Sequence, residues 1–328
     1  MLPEALQSAS QNAPAAIRTF HDEVGDAAAV VKLVHIAKCA GTELGRQLGE
    51  VVTTAKFITG ESCIAAFAGD GLRVTMLRSP RSHVLSQFDH MRHVNKHPQW
   101  ANMISPRFPH TPLERTLGFS TWLLHHARRD KQLPDAACSR AWERDWSSSP
   151  PRWDRSPFEC VEPADFNGYN PNNMQSRHML CTHRTPMAGH HVFSDTGYTP
   201  NATAAVQAMY SLHWVGLVEL YPESLCLFKA RWTGSVPAEC RCSDHESLDA
   251  GSRHKRHSSL HGSNDPLLTD PDIVKMIDSV TAVDRQLYRA AVDRVLASIR
   301  LTEKASGVQI LCKERLAGCL SQRHEVCP

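Results

Sequence analysis

The chain lacks a long hydrophobic run, an internal repeat and any large excess of one charge. No stretch approaches the roughly 18 apolar residues needed to cross a bilayer, so no membrane span is expected. The opening residues, Met1-Leu2-Pro3-Glu4-Ala5-Leu6-Gln7-Ser8, lack the basic-then-apolar order of a signal peptide. That predicts a protein soluble in its own compartment, or one whose anchor has been removed. Formal charge is +2, from 36 Lys and Arg against 34 Asp and Glu, which gives no global basic signature of a nucleic-acid binder. The arginines and histidines therefore read as local anion sites, and nucleic acid is not an expected partner.

Cysteine is the opposite case. Eleven of them exceed what a cytosolic enzyme of this size needs, and the odd number leaves one unpaired if the rest form intramolecular disulfides. Cys312, Cys319 and Cys327 crowd the tail, where a disulfide would pin a loose end. Asn201-Ala202-Thr203 is a glycosylation sequon. Both features point to the secretory pathway and the missing targeting segment points away, so the compartment stays open. With 41% hydrophobic residues, 328 residues are enough for one large α/β domain or two smaller ones.

The most informative stretch is Val30-Val31-Lys32-Leu33-Val34-His35-Ile36-Ala37-Lys38-Cys39-Ala40-Gly41-Thr42-Glu43-Leu44. A short β-branched run predicts a buried parallel strand, and Leu44 and Leu48 lie one helical turn apart just after a loop. Exposed amides at that helix start, Gly41 allowing close backbone approach and Lys38 adding a cation, suit a phosphate or sulfate. The order differs from the ATP-binding phosphate loop, because the lysine here precedes the only loop glycine. A second strand runs into a helix over Arg73-Val74-Thr75-Met76-Leu77-Arg78-Ser79-Pro80-Arg81, followed by Ser82-His83-Val84-Leu85-Ser86-Gln87-Phe88-Asp89-His90. Pro80 suits the helix start, and Val84, Leu85, Phe88 and Met91 give an apolar stripe. Arg78 at the strand end and Ser86 on the helix can then converge on one anion.

His-Ile-Ala-Lys-Cys-Ala-Gly-Thr resembles the 5′-phosphosulfate loop of sulfotransferases that use 3′-phosphoadenosine 5′-phosphosulfate (PAPS), above all the carbohydrate group. Cys39 stands where that family carries threonine. The Arg78 segment resembles the family's 3′-phosphate site, Leu-Arg-x-Pro-x-x-Arg-x-x-Ser. Three softer matches follow in order. Asn170-Pro171-Asn172-Asn173-Met174-Gln175-Ser176-Arg177-His178-Met179-Leu180 is similar to its Asn-x-Gln-x-Arg-x-Leu segment, and Trp214-Val215-Gly216-Leu217-Val218-Glu219 to its Val-Gly-Leu-x-Glu strand. Asp284-Arg285-Gln286-Leu287-Tyr288-Arg289-Ala290-Ala291 is similar to its Asp-x-x-Leu-Tyr-x-x-Ala helix. The likeness spans roughly residues 30 to 300, and the co-linear order carries it.

The resemblance implies an α/β fold with a central parallel sheet flanked by helices, P-loop-like in the sulfotransferase manner, with a loop-rich insertion. It divides the chain into an N-terminal arm (1–29), a sulfotransferase domain (30–301) containing the insertion (95–166), and a cysteine-containing tail (302–328). It implies PAPS as co-substrate, no metal, and a carbohydrate, glycolipid or small alcohol as acceptor, in a Golgi or other secretory setting. Lys38, Cys39, Ala40, Gly41, Thr42, Glu43, Arg78 and Ser86 are expected to hold the nucleotide, with Arg253 and His257 from a basic loop closing over its 3′-phosphate. Lys38 would also stabilise charge on the leaving oxygen. Many members of the family place a histidine or glutamate base just after the second strand, where this chain has Glu61. His90 and His93, on the helix after Arg78, are the alternatives. Two other functions remain: a catalytically inactive sulfotransferase-like glycan binder, and a phosphotransferase with an atypical loop.

Elsewhere, residues 1 to 28 read as a loose arm or short helix, Val51 to Thr59 as a second strand and Arg73 to Arg78 as a third. Between Asn95 and Phe166, nine prolines interrupt the chain and tryptophans at 100, 122, 142, 146 and 153 alternate with cationic residues. Such an insertion can stack on sugars or simply pack a subdomain. Leu117 to Arg129 reads as a helix within it. Cys240, Cys242, His245, His254 and His257 lack ordinary zinc spacing. After Asp270-Pro271 the apolar positions predict one or two closing helices.

Overall fold

The computed structural model describes residues 16–61, 63–94, 119, 123, 170–181, 199–242 and 266–312. Four strands, β1 (Val30–Val34), β2 (Lys56–Gly60), β3 (Leu72–Leu77) and β4 (Trp214–Leu217), form one parallel sheet in the order β2-β1-β3-β4. The register runs Val34↔Gly60 between β1 and β2, Val34↔Thr75 between β1 and β3, and Leu77↔Leu217 between β3 and β4. From β1 the chain first adds a strand on one side and then crosses to the other. The carboxyl ends of β1 and β3 therefore flank a switch point, where open α/β sheets bind ligands.

Around the sheet lie α1 (Phe20–Val24), α2 (Gly41–Val51), α3 (Pro80–Val94), α4 (Met174–Leu180), α5 (Ala202–Tyr210), α6 (Tyr221–Thr233), α7 (Pro271–Val280) and α8 (Ala282–Ser306). The parallel α/β class expected from the sequence is present. Its core joins Val31, Leu33, Leu72, Val74 and Met76 of the sheet to Leu44 and Leu48 of α2 and Val292, Val295 and Ile299 of α8. A second cluster packs Val84, Leu85 and Phe88 of α3 against Ile273, Ile277 and Val280 of α7, with Phe119 and Leu123. Those two residues are the described part of the expected Leu117–Arg129 helix, and both are helical and buried.

The second strand starts later than expected. Val51 ends α2, and Val52 N still donates to Leu48 O at 2.8 Å, so the two valines complete a helical face begun by Leu44 and Leu48. Their β-branched character is overridden by that packing. A turn through Ala55 precedes β2. The N-terminal residues 16–29 dock on the body. Thr19 and Asp22 form a capping box on α1, Phe20 meets Phe228 at a ring separation of 5.2 Å, and Arg231 lies 4.2 Å over the Phe20 ring. At the other end, α8 runs on to Ser306, and Glu303 Oε1 accepts from Ile310 N and Leu311 N at 2.7 Å each.

Three disulfides join Cys63 to Cys181, Cys226 to Cys240 and Cys242 to Cys312. This pairing is compatible with a secreted protein. Cys312 is thus fastened to Cys242, and the Cys240 and Cys242 thiols are not open to zinc. No helix among the described residues is long and apolar enough to cross a membrane.

Candidate functional site

The turn after β1 is the most conformationally demanding part of the sheet's carboxyl edge. Lys38 and Ala40 both sit in the left-handed region, at φ 64° and 59°. A non-glycine residue there costs on the order of 1–2 kcal/mol, which points from strain to function. Leu44 N donates to Ala40 O at 2.9 Å, so the amides of Gly41, Thr42 and Glu43 precede the first bond within α2. The positive end of this 11-residue helix, with the amides of Gly41 and Thr42, suits an anion. Gly41 is required by sterics, because a Cβ on it would lie inside the imidazole of His35. The loop is held from below by His83, whose Nε2 donates to Ala37 O at 2.8 Å. That bond leaves His83 Nδ1 to accept from Gln87 Nε2 at 3.1 Å. Burial pushes the His83 pKa down to about 3, so it acts as a neutral strut.

Arg78 follows β3, adjacent to the loop. One of its terminal nitrogens donates to Lys38 O at 3.2 Å. Its Nε is buried with no hydrogen-bond partner among the described residues. A buried guanidinium donor left open is costly unless an acceptor arrives. Pro80 starts α3 directly behind, Ser86 lies one and a half turns further along, and Arg81 anchors the helix by a two-pronged bond to Asp278 at 2.7 and 2.8 Å.

Glu61 closes the third side, just past β2. His35 Nε2 stands 3.8 Å from Glu61 Oε1. Burial raises the Glu61 pKa against the opposing pull of Lys38, and lowers that of His35 to about 4, with Lys38 adding to the effect. Lys38 itself is pushed down to about 8, first by burial and then by the Arg78 charge, with Glu61 partly compensating. One half-buried space thus holds a lysine whose proton is weakened, a carboxylate more basic than usual, a neutral imidazole and a buried arginine. Such opposed shifts, brought together, make this the candidate functional site.

Comparison of the chain with protein-family models, curated proteins and solved structures finds no match. The site is therefore read from its own residues. Ser86 is buried in the second turn of α3, and Lys38, Cys39, Ala40, Gly41, Thr42, Arg78 and Glu61 follow the carboxyl ends of β1, β2 and β3. Glu43 is there as well, but its carboxylate is taken by Arg46 at 2.5 Å and Gln47 at 2.8 Å, which leaves its amide as the useful group. His90 and His93 lie on α3, and their side chains fall outside the described residues. Arg253 and His257 fall outside them altogether. Cys39 is buried and its thiol is held neutral by burial, so it is a packing and hydrogen-bonding group.

Several supporting residues were visible in the sequence only as parts of softer motifs. Gln175 bonds the backbone of Arg78 in both directions, at 3.0 and 2.8 Å. Glu219 accepts from Ser79 N at 2.9 Å and from the Tyr288 hydroxyl at 2.7 Å. Asp284 accepts from the amides of Gln175 and Ser176 and from the Ser176 hydroxyl, at 3.1, 2.7 and 2.6 Å. These contacts cross 69 to 140 positions of sequence, a reach no local pattern reveals.

Proposed function

We propose that this chain is a PAPS-dependent sulfotransferase, with the P-loop-like sulfotransferase fold, that acts on a hydroxyl of a carbohydrate, glycolipid or small alcohol. The single observation that carries this reading is the juxtaposition of Lys38, in a left-handed turn ahead of the α2 amides, with Arg78, whose buried Nε is open to an acceptor. Two separate anion sites a short distance apart fit a nucleotide that carries anionic groups on both the 3′ and the 5′ positions of its ribose. The amides of residues 40 to 43 and Lys38 suit the phosphosulfate, and Arg78 with Ser86 suits the 3′-phosphate.

In the reaction, a bond forms between the acceptor oxygen and sulfur while the bond from sulfur to the phosphate oxygen breaks. Lys38 and the loop amides offset negative charge growing on the departing oxygen. Glu61, made more basic by burial, takes the acceptor's proton. His35, neutral and packed on Gly41, flanks Glu61 and holds the loop glycine against it. The disulfides are in keeping with a lumenal or secreted setting.

The test is transfer of radiolabelled sulfate from PAPS to a panel of glycans, glycolipids and simple alcohols. Labelled product with at least one acceptor class supports the reading. Tight binding of the nucleotide with no transfer to any acceptor would make the chain an inactive glycan-binding relative. Phosphoryl transfer from ATP in place of sulfuryl transfer would make it a phosphotransferase.

A further inference from the structure

We propose that Gln175 is a positioning residue that fixes the spacing between the two anion sites and so sets the preference for a doubly phosphorylated nucleotide; this rests on the PAPS reading. In a parallel sheet, successive residues of a strand direct their amide and carbonyl to opposite neighbours. Leu77 O accepts from Val218 N at 2.9 Å, towards β4, so the next residue, Arg78, turns its polar groups towards β1. But β1 ends at Val34, level with Thr75, and the chain has left the sheet for the Lys38 loop. The carboxamide of Gln175 fills the vacancy. Its Oε1 accepts from Arg78 N at 3.0 Å and its Nε2 donates to Arg78 O at 2.8 Å, as a paired strand would.

The same Oε1 accepts from the Cys39 thiol at 3.6 Å. Gln175 therefore holds the backbone of the Arg78 site and a side chain of the Lys38 loop with one planar group. Both lone pairs of Oε1 are used and the side chain is buried, at 1% exposure. Buried and committed to these partners, it acts through its neighbours.

Gln175 is itself fixed from behind. Its amide and that of Ser176 donate to the carboxylate of Asp284 at the start of α8. In return Asn173 Oδ1 accepts from Val283 N at 2.8 Å and Asp284 N at 3.2 Å. Asn173 is held in the left-handed region at φ 47° to make this exchange. The first turn of α4 and the first turn of α8 cap each other, and the Gln175 side chain projects from that joint between the two sites.

A ligand that bridges both sites feels the spacing, whereas one that uses only the Lys38 loop does not. Calorimetry on the full chain with 3′-phosphoadenosine 5′-phosphate and with adenosine 5′-phosphate separates the two. Gln175→Met, similar in volume and without the hydrogen bonds, is expected to weaken the bisphosphate by about tenfold or more and the monophosphate by less than about threefold. A second variant, Gln175→Glu, keeps the acceptor and has no donor towards Arg78 O until its new carboxyl is protonated. Its preference for the bisphosphate, relative to wild type at each pH, is expected to recover as pH falls. Equal weakening of both nucleotides in Gln175→Met, or no change in either, would overturn the proposal, as would a pH-independent ratio in Gln175→Glu. Failure of wild type to prefer the bisphosphate at all removes the functional reading and this inference with it; a wild-type preference that survives Gln175→Met removes the inference alone.

Discussion

The Arg78 guanidinium donates to the main-chain carbonyl of Lys38 at 3.2 Å, which brings two cations from different strand ends to the same corner of the sheet. The bond uses the backbone of Lys38 and leaves its ammonium without a hydrogen-bond partner among the described residues. Binding and charge stabilisation can then be separated by mutation. Lys38→Ala is expected to lower turnover by about a hundredfold or more while the loop amides and Arg78 retain most of the nucleotide affinity. Steady-state kinetics beside calorimetry checks this, and turnover within a few-fold of wild type removes Lys38 from the mechanism.

The pH profile of kcat/KM reports the free site. Glu61 has a raised pKa, so it is protonated and inactive as a base at a pH where an ordinary glutamate is still ionised. The acid limb is therefore expected at a higher pH than an ordinary glutamate would give. Lys38 loses its charge as pH rises through about 8, which places the alkaline limb there. Glu61→Gln is expected to reduce turnover by about a hundredfold to ten-thousandfold and to remove the acid limb, with nucleotide affinity little changed. His90→Asn and His93→Asn are the comparison. A dead histidine variant beside an active Glu61→Gln assigns the proton to α3 instead.

Gly41→Ala places a methyl group where the His35 ring lies. The protein is expected to lose stability and the loop to lose anion affinity together. His35→Ala in the same chain should restore part of both, a coupling that a double-mutant cycle of melting and binding measures. Simple additivity of the two changes would mean that the ring and the loop glycine are independent.

The Cys63 to Cys181 bridge closes 118 residues and joins the segment after Glu61 to the end of α4. Replacing both cysteines by serine is expected to cost about 2–4 kcal/mol in urea unfolding. Turnover should fall more than nucleotide affinity, because Glu61 sits beside the bridge while Lys38 and Arg78 are held by other bonds. Unchanged stability would count against the pairing.

Asn201 caps α5 through its Oδ1, which accepts from Ala204 N at 2.9 Å. Asn201→Ala should lower stability by about 1 kcal/mol, and Asn201→Asp, which keeps the acceptor, by much less. Thermal melting of the three proteins decides it.

The two loops were legible because each is contiguous: a strand, a turn and a helix lie within fifteen residues, and Lys38 and Arg78 mark the turns. The parallel class followed from the same alternation. The start of β2 was not legible, because Val51 and Val52 favour a strand locally and are claimed by the face of α2. Nor was the pairing of Cys312 with Cys242, since three tail cysteines compete on paper and only the return of the chain past Gln309, whose carbonyl accepts from Cys242 N at 3.0 Å, selects one. The role of Gln175 depends on Arg78 and Asp284, 97 and 109 positions away, and is a property of the assembled chain.

The mutual cap between Asn173 and Asp284 also orders events at the ribosome. Domains form from the amino terminus as the chain emerges. A nascent chain that ends after β3 already carries Lys38 and Arg78, yet Gln175 has not been made, and its anchor at residue 284 comes more than a hundred residues later still. The early part of the protein can fold around its strands without a finished site. The corners that carry Lys38 and Arg78 are locked together only once residue 284 has emerged, so a polypeptide that stops short of it is expected to hold the nucleotide poorly in the cell.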